Sequence, residues 1–144
     1  MKTIKATLLA LCLSPGLALA GTAYIPTFNV WNGALSCYKI SNVSNVDASI
    51  TVNFYDENGD LYTGPFGQAK VITALNTPFT LQPHKTAAFC LEKSSQPASG
   101  YGVIESTGTD GNQPFIIASG LYQAQHTDYR MVERSITIHQ GLPF

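Results

Sequence analysis

The sequence has few charged residues and no long hydrophobic run, and each shortage excludes a class of protein. Charged residues make up 12% of the 144 residues, and the formal net charge is −1. Such a chain offers no basic patch for phosphates, so we expect no binding to nucleic acid. After residue 20, no segment has the roughly 20 apolar residues of a membrane-spanning helix, so we expect no membrane span in the mature chain.

The first 20 residues have the three zones of a cleavable secretory signal peptide. Two lysines give a positive start, residues 6–13 form a short apolar run, and Ala18 and Ala20 are the small residues of a cleavage site. The signal resembles those of Gram-negative bacteria, which implies a periplasmic, cell-surface or extracellular destination. We therefore predict an exported protein with a signal peptide at residues 1–20 and a single domain at residues 21–144.

Removal of the signal peptide changes the charge and the cysteine count. It leaves six Lys and Arg against nine Asp and Glu, a net charge of −3, and it removes Cys12. The remaining Cys37 and Cys90 are expected to pair in an oxidising compartment; two free buried thiols are the alternative. Bulky apolar residues alternate with each cysteine, so we expect the bridge off the main core, joining neighbouring strands or a strand and an edge.

Apolar and polar residues alternate with the period of a strand and not with that of a helix. The clearest strand is residues 48–55, where Ile50, Val52 and Phe54 face one side, and Asp-Glu-Asn-Gly at residues 56–59 predicts a tight hairpin turn. Eight or nine short strands separated by turns predict an all-β fold, a single antiparallel β-sandwich. The other predicted strands are residues 24–31, 35–41, 69–74, 79–81, 86–91, 102–106, 115–123 and 131–139.

Three segments carry a resemblance to a known class of proteins. They are Ile-Ser-Asn at residues 40–42, the strand 50–55 with its turn, and Phe-Thr-Leu-Gln-Pro-His-Lys-Thr at residues 79–86. Together they resemble small exported bacterial β-sandwich proteins with immunoglobulin-like or fibronectin-like topology. The resemblance implies an immunoglobulin-like sandwich and assigns no catalytic or binding residue.

Local motifs for catalysis or metal binding do not occur in the sequence. There is no Gly-x-Ser-x-Gly elbow, and His84, His126 and His139 have no histidine or cysteine partner at a metal-ligand spacing. A carboxylate pair such as Glu105 with Glu133 would need two strands to place it. We predict a non-enzymatic protein with no cofactor and no metal. A small hydrolase or enzyme inhibitor, with residues assembled from distant loops, is the second alternative.

Aromatic residues are the best candidates for ligand contact, because Trp and Tyr combine a large apolar face with a polar tip. Trp31, beside Asn-Gly, is the best platform for a stacked sugar ring, with Tyr122 and Tyr129 as further platform residues. The alternative is that Trp31 caps one end of the core. The aromatic residues other than Trp31 that we expect to be partly exposed are Tyr55, Tyr62, Phe66, Tyr122 and Tyr129.

The sequence thus favours a structural, adhesive or protein-binding module of the bacterial cell envelope or surface over an enzyme. Edge strands offer unpaired backbone groups to a partner protein or to a second copy of the chain. Residues 22–30 are a candidate strand for exchange between copies. A carbohydrate-binding module, with exposed aromatics that contact a polysaccharide, is the first alternative.

Overall fold

The computed structural model describes residues 21–92, 97–109, 112–125 and 131–144. The predicted signal peptide, residues 1–20, lies outside these ranges. The described residues form nine strands and one 3-10 turn at His139–Gly141. The strands are β1 (Gly21–Val30), β2 (Ala34–Asn42), β3 (Ala48–Asp56), β4 (Phe66–Lys70), β5 (Phe79–Leu81), β6 (Thr86–Leu91), β7 (Ala98–Gly108), β8 (Ile116–Gln125) and β9 (Met131–Thr137).

The strands pair into two antiparallel sheets. The four-stranded sheet has the order β1-β7-β3-β5, and the five-stranded sheet has the order β4-β6-β2-β8-β9. The predicted all-β antiparallel sandwich is therefore confirmed. No helix in the described residues is long and apolar enough to cross a membrane.

The apolar core lies between the two sheets and follows the alternation that the sequence predicts. In β3, Ile50, Val52 and Phe54 are buried, whereas Asn53 and Tyr55 occupy the alternate, outward positions and are only partly covered. Because successive strand residues point to opposite faces, one strand contributes to the core and to the outer surface at once.

Phe54 lies at the centre of an aromatic cluster in this core. Its ring centroid is 5.4 Å from that of Phe28, 5.3 Å from that of Tyr38 and 6.1 Å from that of Phe89. Burial raises the pKa of Tyr38, so its hydroxyl stays protonated and donates a hydrogen bond of 3.1 Å to the Thr27 carbonyl. The polar tip of the most central tyrosine is thus satisfied by the backbone of β1.

The predicted disulfide forms and lies where the alternation places it. Cys37 and Cys90 are opposite each other on the neighbouring strands β2 and β6, separated by 53 residues in sequence. Their neighbours Tyr38 and Phe89 belong to the apolar core cluster, and the cysteines do not, although Cys90 is buried. The bridge therefore crosslinks two strands of one sheet on its outer side.

One predicted strand is misplaced. The sequence predicts a strand at residues 69–74, but β4 is Phe66–Lys70 and pairs with β6. β4 has a φ of 51° at Gln68, within its register shift, and ends before Val71, where φ is 73°; both values lie in the left-handed region that a regular extended strand does not use. Ile72 nevertheless packs into the core, and this explains the apolar pattern that suggested a strand.

The turn predicted after β3 forms, but the chain that follows it does not form the second strand of a hairpin. The carboxylate of Asp56 accepts hydrogen bonds from the backbone N–H groups of Asn58 (2.9 Å) and Asp60 (3.0 Å). Gly59 has a φ of 84°, which glycine adopts without steric cost. The returning chain makes a single isolated bridge to β3 at Leu61 instead of a strand.

Candidate binding surfaces

A polar cleft opens where the edges of the two sheets meet, between β1 and β9. It has a volume of about 360 Å³, and we call it the β1–β9 cleft. A concave site of this size is in the range used for small ligands. Its lining is formed by Thr27 and Asn29 of β1, Ser36 of β2, Tyr122 of β8, and Arg134, Ser135 and Ile136 of β9.

Two of the three predicted platform residues are in contact beside this cleft: Tyr122 lines it, and Trp31, which is not a lining residue, contacts Tyr122. Trp31 Nε1 donates a hydrogen bond of 3.4 Å to the Tyr122 hydroxyl, although the residues are 91 positions apart. Trp31 is 38% exposed, and it lies in the turn between β1 and β2, where Gly33 has a φ of 122° and runs against the indole ring. The third predicted residue, Tyr129, lies outside the described residues.

Arg134 joins these aromatic residues through the strand register. Ser36 is opposite Tyr122, and Tyr122 is opposite Arg134, so the three residues form one row across β2, β8 and β9. Residues that are directly opposite have Cβ atoms about 4.5–5.5 Å apart. The described residues that line the cleft include no carboxylate to neutralise Arg134. The adjacent Glu133 points to the other face, where it accepts a hydrogen bond from Gln123.

The polar floor of the cleft is held in place by β1 and β2. The Ser36 hydroxyl donates to the Asn29 carbonyl and accepts from the Asn29 backbone N–H, both at 3.1 Å. The Asn29 side-chain amide donates to the Thr27 hydroxyl at 3.3 Å. Its Oδ1 atom has no hydrogen-bond partner among the described residues. The cleft therefore presents an acceptor and a cation beside the ring of Tyr122, which Trp31 contacts.

A second aromatic surface was missed by the sequence analysis. Tyr55 of β3 and Tyr101 of β7 are opposite each other and stack, with ring centroids 5.3 Å apart and an interplanar angle of 24°. Tyr24 of β1 shares this outer face and is 65% exposed. We call these three residues the tyrosine face. The signal was present as alternation, but the predicted strand began at residue 102 and left Tyr101 outside it.

Of the aromatic residues expected to be partly exposed, Tyr62 packs inward, whereas Phe66 keeps part of its surface exposed. Tyr62 is buried in the core, and its hydroxyl donates to the Pro65 carbonyl at 3.3 Å. Burial raises the pKa of Tyr62. Phe66 is half-buried and packs against the core. The expectation for Tyr62 was wrong because the loop after β3 folds back over the end of the sandwich.

Three of the four edge strands have features that hinder pairing with a further strand. β5 has only three residues, and β4 has a register shift at its pairing with β6. β1 has a register shift between Ile25 and Phe28, with Pro26 inside it. Side chains of β2 also satisfy part of the backbone of β1. The Tyr38 hydroxyl donates to the Thr27 carbonyl, and the Ser36 hydroxyl bonds both the N–H and the C=O group of Asn29. These features discourage the addition of a further strand.

β9 is the long edge without these protections. It pairs with β8 over seven residues without a register shift. All of its residues except Ile136 are exposed, including Met131 and Val132 at its start. It contains neither proline nor glycine. An edge of this kind presents its alternate N–H and C=O groups to solvent.

The described residues do not assemble a catalytic or metal centre at the predicted candidates. His84 Nε2 lies 3.1 Å from Asn45 Oδ1, so its partner is an amide. Glu105 and Glu133 lie on different sheets, so they form no pair. In residues 21–92, 97–109, 112–125 and 131–144, no three His, Cys, Asp or Glu residues are grouped to hold a metal ion. His126 lies outside the described residues.

Comparison with known proteins finds no matching family model, no similar curated protein and no similar solved structure. The resemblance to exported sandwiches of immunoglobulin-like topology therefore stays a prediction.

Proposed function

We propose that this chain is an exported, non-enzymatic adhesive module that binds a partner protein along the edge of β9. The observation that carries the proposal is that β9 is exposed and pairs with β8 without a register shift, whereas the other three edge strands are short or irregular. A partner strand can pair with the outward backbone groups of such an edge. The Cys37–Cys90 bridge supports export, because disulfides persist in oxidising compartments.

The charges of β9 favour a different protein over a second copy of this chain. Two β9 strands paired about a two-fold axis centred on Glu133 or Arg134 would place like charges directly opposite each other. Like charges in that position destabilise a strand pair. A partner strand with a basic residue opposite Glu133 and an acidic residue opposite Arg134 avoids this cost. These two registers are therefore disfavoured between copies, and we expect the proposed module to be monomeric alone.

A charge reversal at the β9 edge tests the proposal. Glu133→Lys is expected to weaken binding to isolated cell envelopes of the exporting organism about tenfold, because it places a like charge beside the basic residue of the partner strand. Binding is measured by co-sedimentation of the labelled protein with the envelopes.

The matched control is Glu105→Lys, which makes the same charge change on the outer face of the four-stranded sheet. We expect this variant to bind like the wild type. Equal binding by Glu133→Lys and the wild type would contradict the proposal, as would equal loss in both variants.

Carbohydrate binding is a second candidate function, and the contact between Trp31 and Tyr122 favours it. Their hydrogen bond brings two aromatic rings together beside a polar cleft. A sugar ring needs an apolar surface for its C–H face and polar groups for its hydroxyls. The β1–β9 cleft offers both within one site, with Tyr122 beside the polar groups of Asn29, Ser36 and Arg134.

A further inference from the structure

We infer that the β1–β9 cleft binds a carboxylate-bearing saccharide, such as an oligomer of uronic acid. The inference rests on the second candidate function and adds to it the charge of the ligand. Three observations on the described residues support it: the cleft lining places no carboxylate beside the Arg134 guanidinium, the rings of Trp31 and Tyr122 are in contact, and Asn29 Oδ1 has no hydrogen-bond partner.

Arg134 sets the charge of the ligand. A guanidinium binds a carboxylate through two parallel hydrogen bonds, which is its best-matched anionic partner in geometry. The described lining of the cleft contains no acidic residue, although the chain after residue 20 carries a net charge of −3. The cleft is therefore a local cationic site in an acidic domain, and it attracts an anion by charge complementarity.

The aromatic rings and the polar floor select a saccharide over a simple anion. The hydrogen bond of 3.4 Å between Trp31 and Tyr122 and the packing of Tyr122 against the core restrain the two rings before a ligand arrives, which reduces the side-chain freedom lost on binding. Asn29 Oδ1 can accept a hydrogen bond from a sugar hydroxyl. A volume of about 360 Å³ leaves room for more than a carboxylate ion alone.

Isothermal titration calorimetry of the protein processed from the full chain tests this inference. The probes are trigalacturonate, the uncharged cellotriose and sodium acetate. We expect trigalacturonate to bind at least about tenfold more tightly than either of the other two, because only it satisfies the cation and the rings together. Its affinity is expected to fall as salt rises, since the charges are at the surface.

Variants locate the site. Arg134→Gln is expected to weaken trigalacturonate binding about tenfold or more, and Arg134→Lys to recover only part of that loss, because a lysine cannot form the paired hydrogen bonds. Trp31→Ala is expected to weaken it by a similar factor. Tyr24→Ala, on the tyrosine face, is the control that keeps wild-type affinity. All three positions are exposed, so thermal melting is expected to stay unchanged and to report that each of the four variants is folded.

Each contrary outcome overturns a defined part of the account. If cellotriose binds as tightly as trigalacturonate and Trp31→Ala abolishes both, carbohydrate binding stands and the preference for a carboxylate is wrong. If acetate binds as tightly as trigalacturonate, the cleft is an anion site and the inference is wrong. Loss in Tyr24→Ala with no loss in Trp31→Ala would move the sugar to the tyrosine face and also overturn it. If no probe binds while Glu133→Lys still weakens envelope binding, the protein-binding proposal stands without this inference.

Discussion

Replacement of both Cys37 and Cys90 by alanine is expected to lower the free energy of unfolding by about 4 kcal/mol. The bridge closes a loop with a sequence separation of 53 residues, and its loss restores that loop's freedom to the unfolded chain. For a domain of this size, such a loss lowers the melting temperature by roughly 15 °C. Urea denaturation followed by circular dichroism measures the free energy directly.

The reducing agent provides the control for this prediction. Dithiothreitol is expected to destabilise the wild type by a similar amount and to leave the double variant unchanged, because the variant has no bridge to reduce. A loss below about 1 kcal/mol in the double variant would contradict the loop-closure explanation.

The same experiment connects stability to export. A chain that lacks residues 1–20 is expected to remain in the reducing cytosol, where disulfides rarely persist. It should therefore carry two free thiols at Cys37 and Cys90 and match the double variant in stability. A fully bridged cytosolic product would show that the disulfide does not depend on the predicted signal peptide.

Replacement of Phe54 by alanine is expected to cost about 3–5 kcal/mol, the range for an aromatic residue removed from a packed core. Phe54 has no exposed surface and makes close ring contacts with Phe28, Tyr38 and Phe89. Truncation removes apolar contacts and leaves a cavity in the middle of this cluster. The measurement is again urea denaturation, with the disulfide intact.

The matched control comes from the next residue of the same strand. Asn53 points to the outer face of the four-stranded sheet, so Asn53→Ala is expected to change stability by less than about 0.5 kcal/mol. A comparable loss in both variants would mean that the two faces of β3 are not distinguished as the alternation requires.

The alternation of apolar and polar residues predicts those features of the fold that depend only on residues adjacent in sequence. The predicted bounds of β5 and β6 agree with the structure, and β3 begins at the predicted Ala48. The outward position of Cys90 follows from its buried neighbours Phe89 and Leu91 in the same way. Each of these features depends on the two-residue period of a strand, which a single segment displays by itself.

Strand order and local backbone exceptions could not be predicted. The pairing of β1 with β7 and of β2 with β8 joins segments far apart in sequence, and no local pattern encodes the partner of a strand. The bounds of β4 could not be predicted because Gln68 and Val71 both adopt a positive φ, which residues other than glycine rarely do and which the sequence does not indicate.

The candidate site also has a part that the sequence predicts and a part that only the strand register reveals. Trp31 and Tyr122 were selected for their chemistry, but only the register brings their polar tips within 3.4 Å. Arg134 was not selected, because an exposed arginine in a strand carries no signal until its neighbours are known. Tyr24 and Tyr101 were missed for the same reason.

Hydrogen–deuterium exchange on the protein bound to isolated cell envelopes tests most directly whether the β1–β9 side is the binding surface. A bound partner protein should protect the backbone of residues 131–137, and a bound saccharide should protect residues 27–36 together with the same strand. The account predicts protection confined to these segments, with β3 and the tyrosine face unchanged. Protection centred on residues 98–108, or none at either segment, would contradict it.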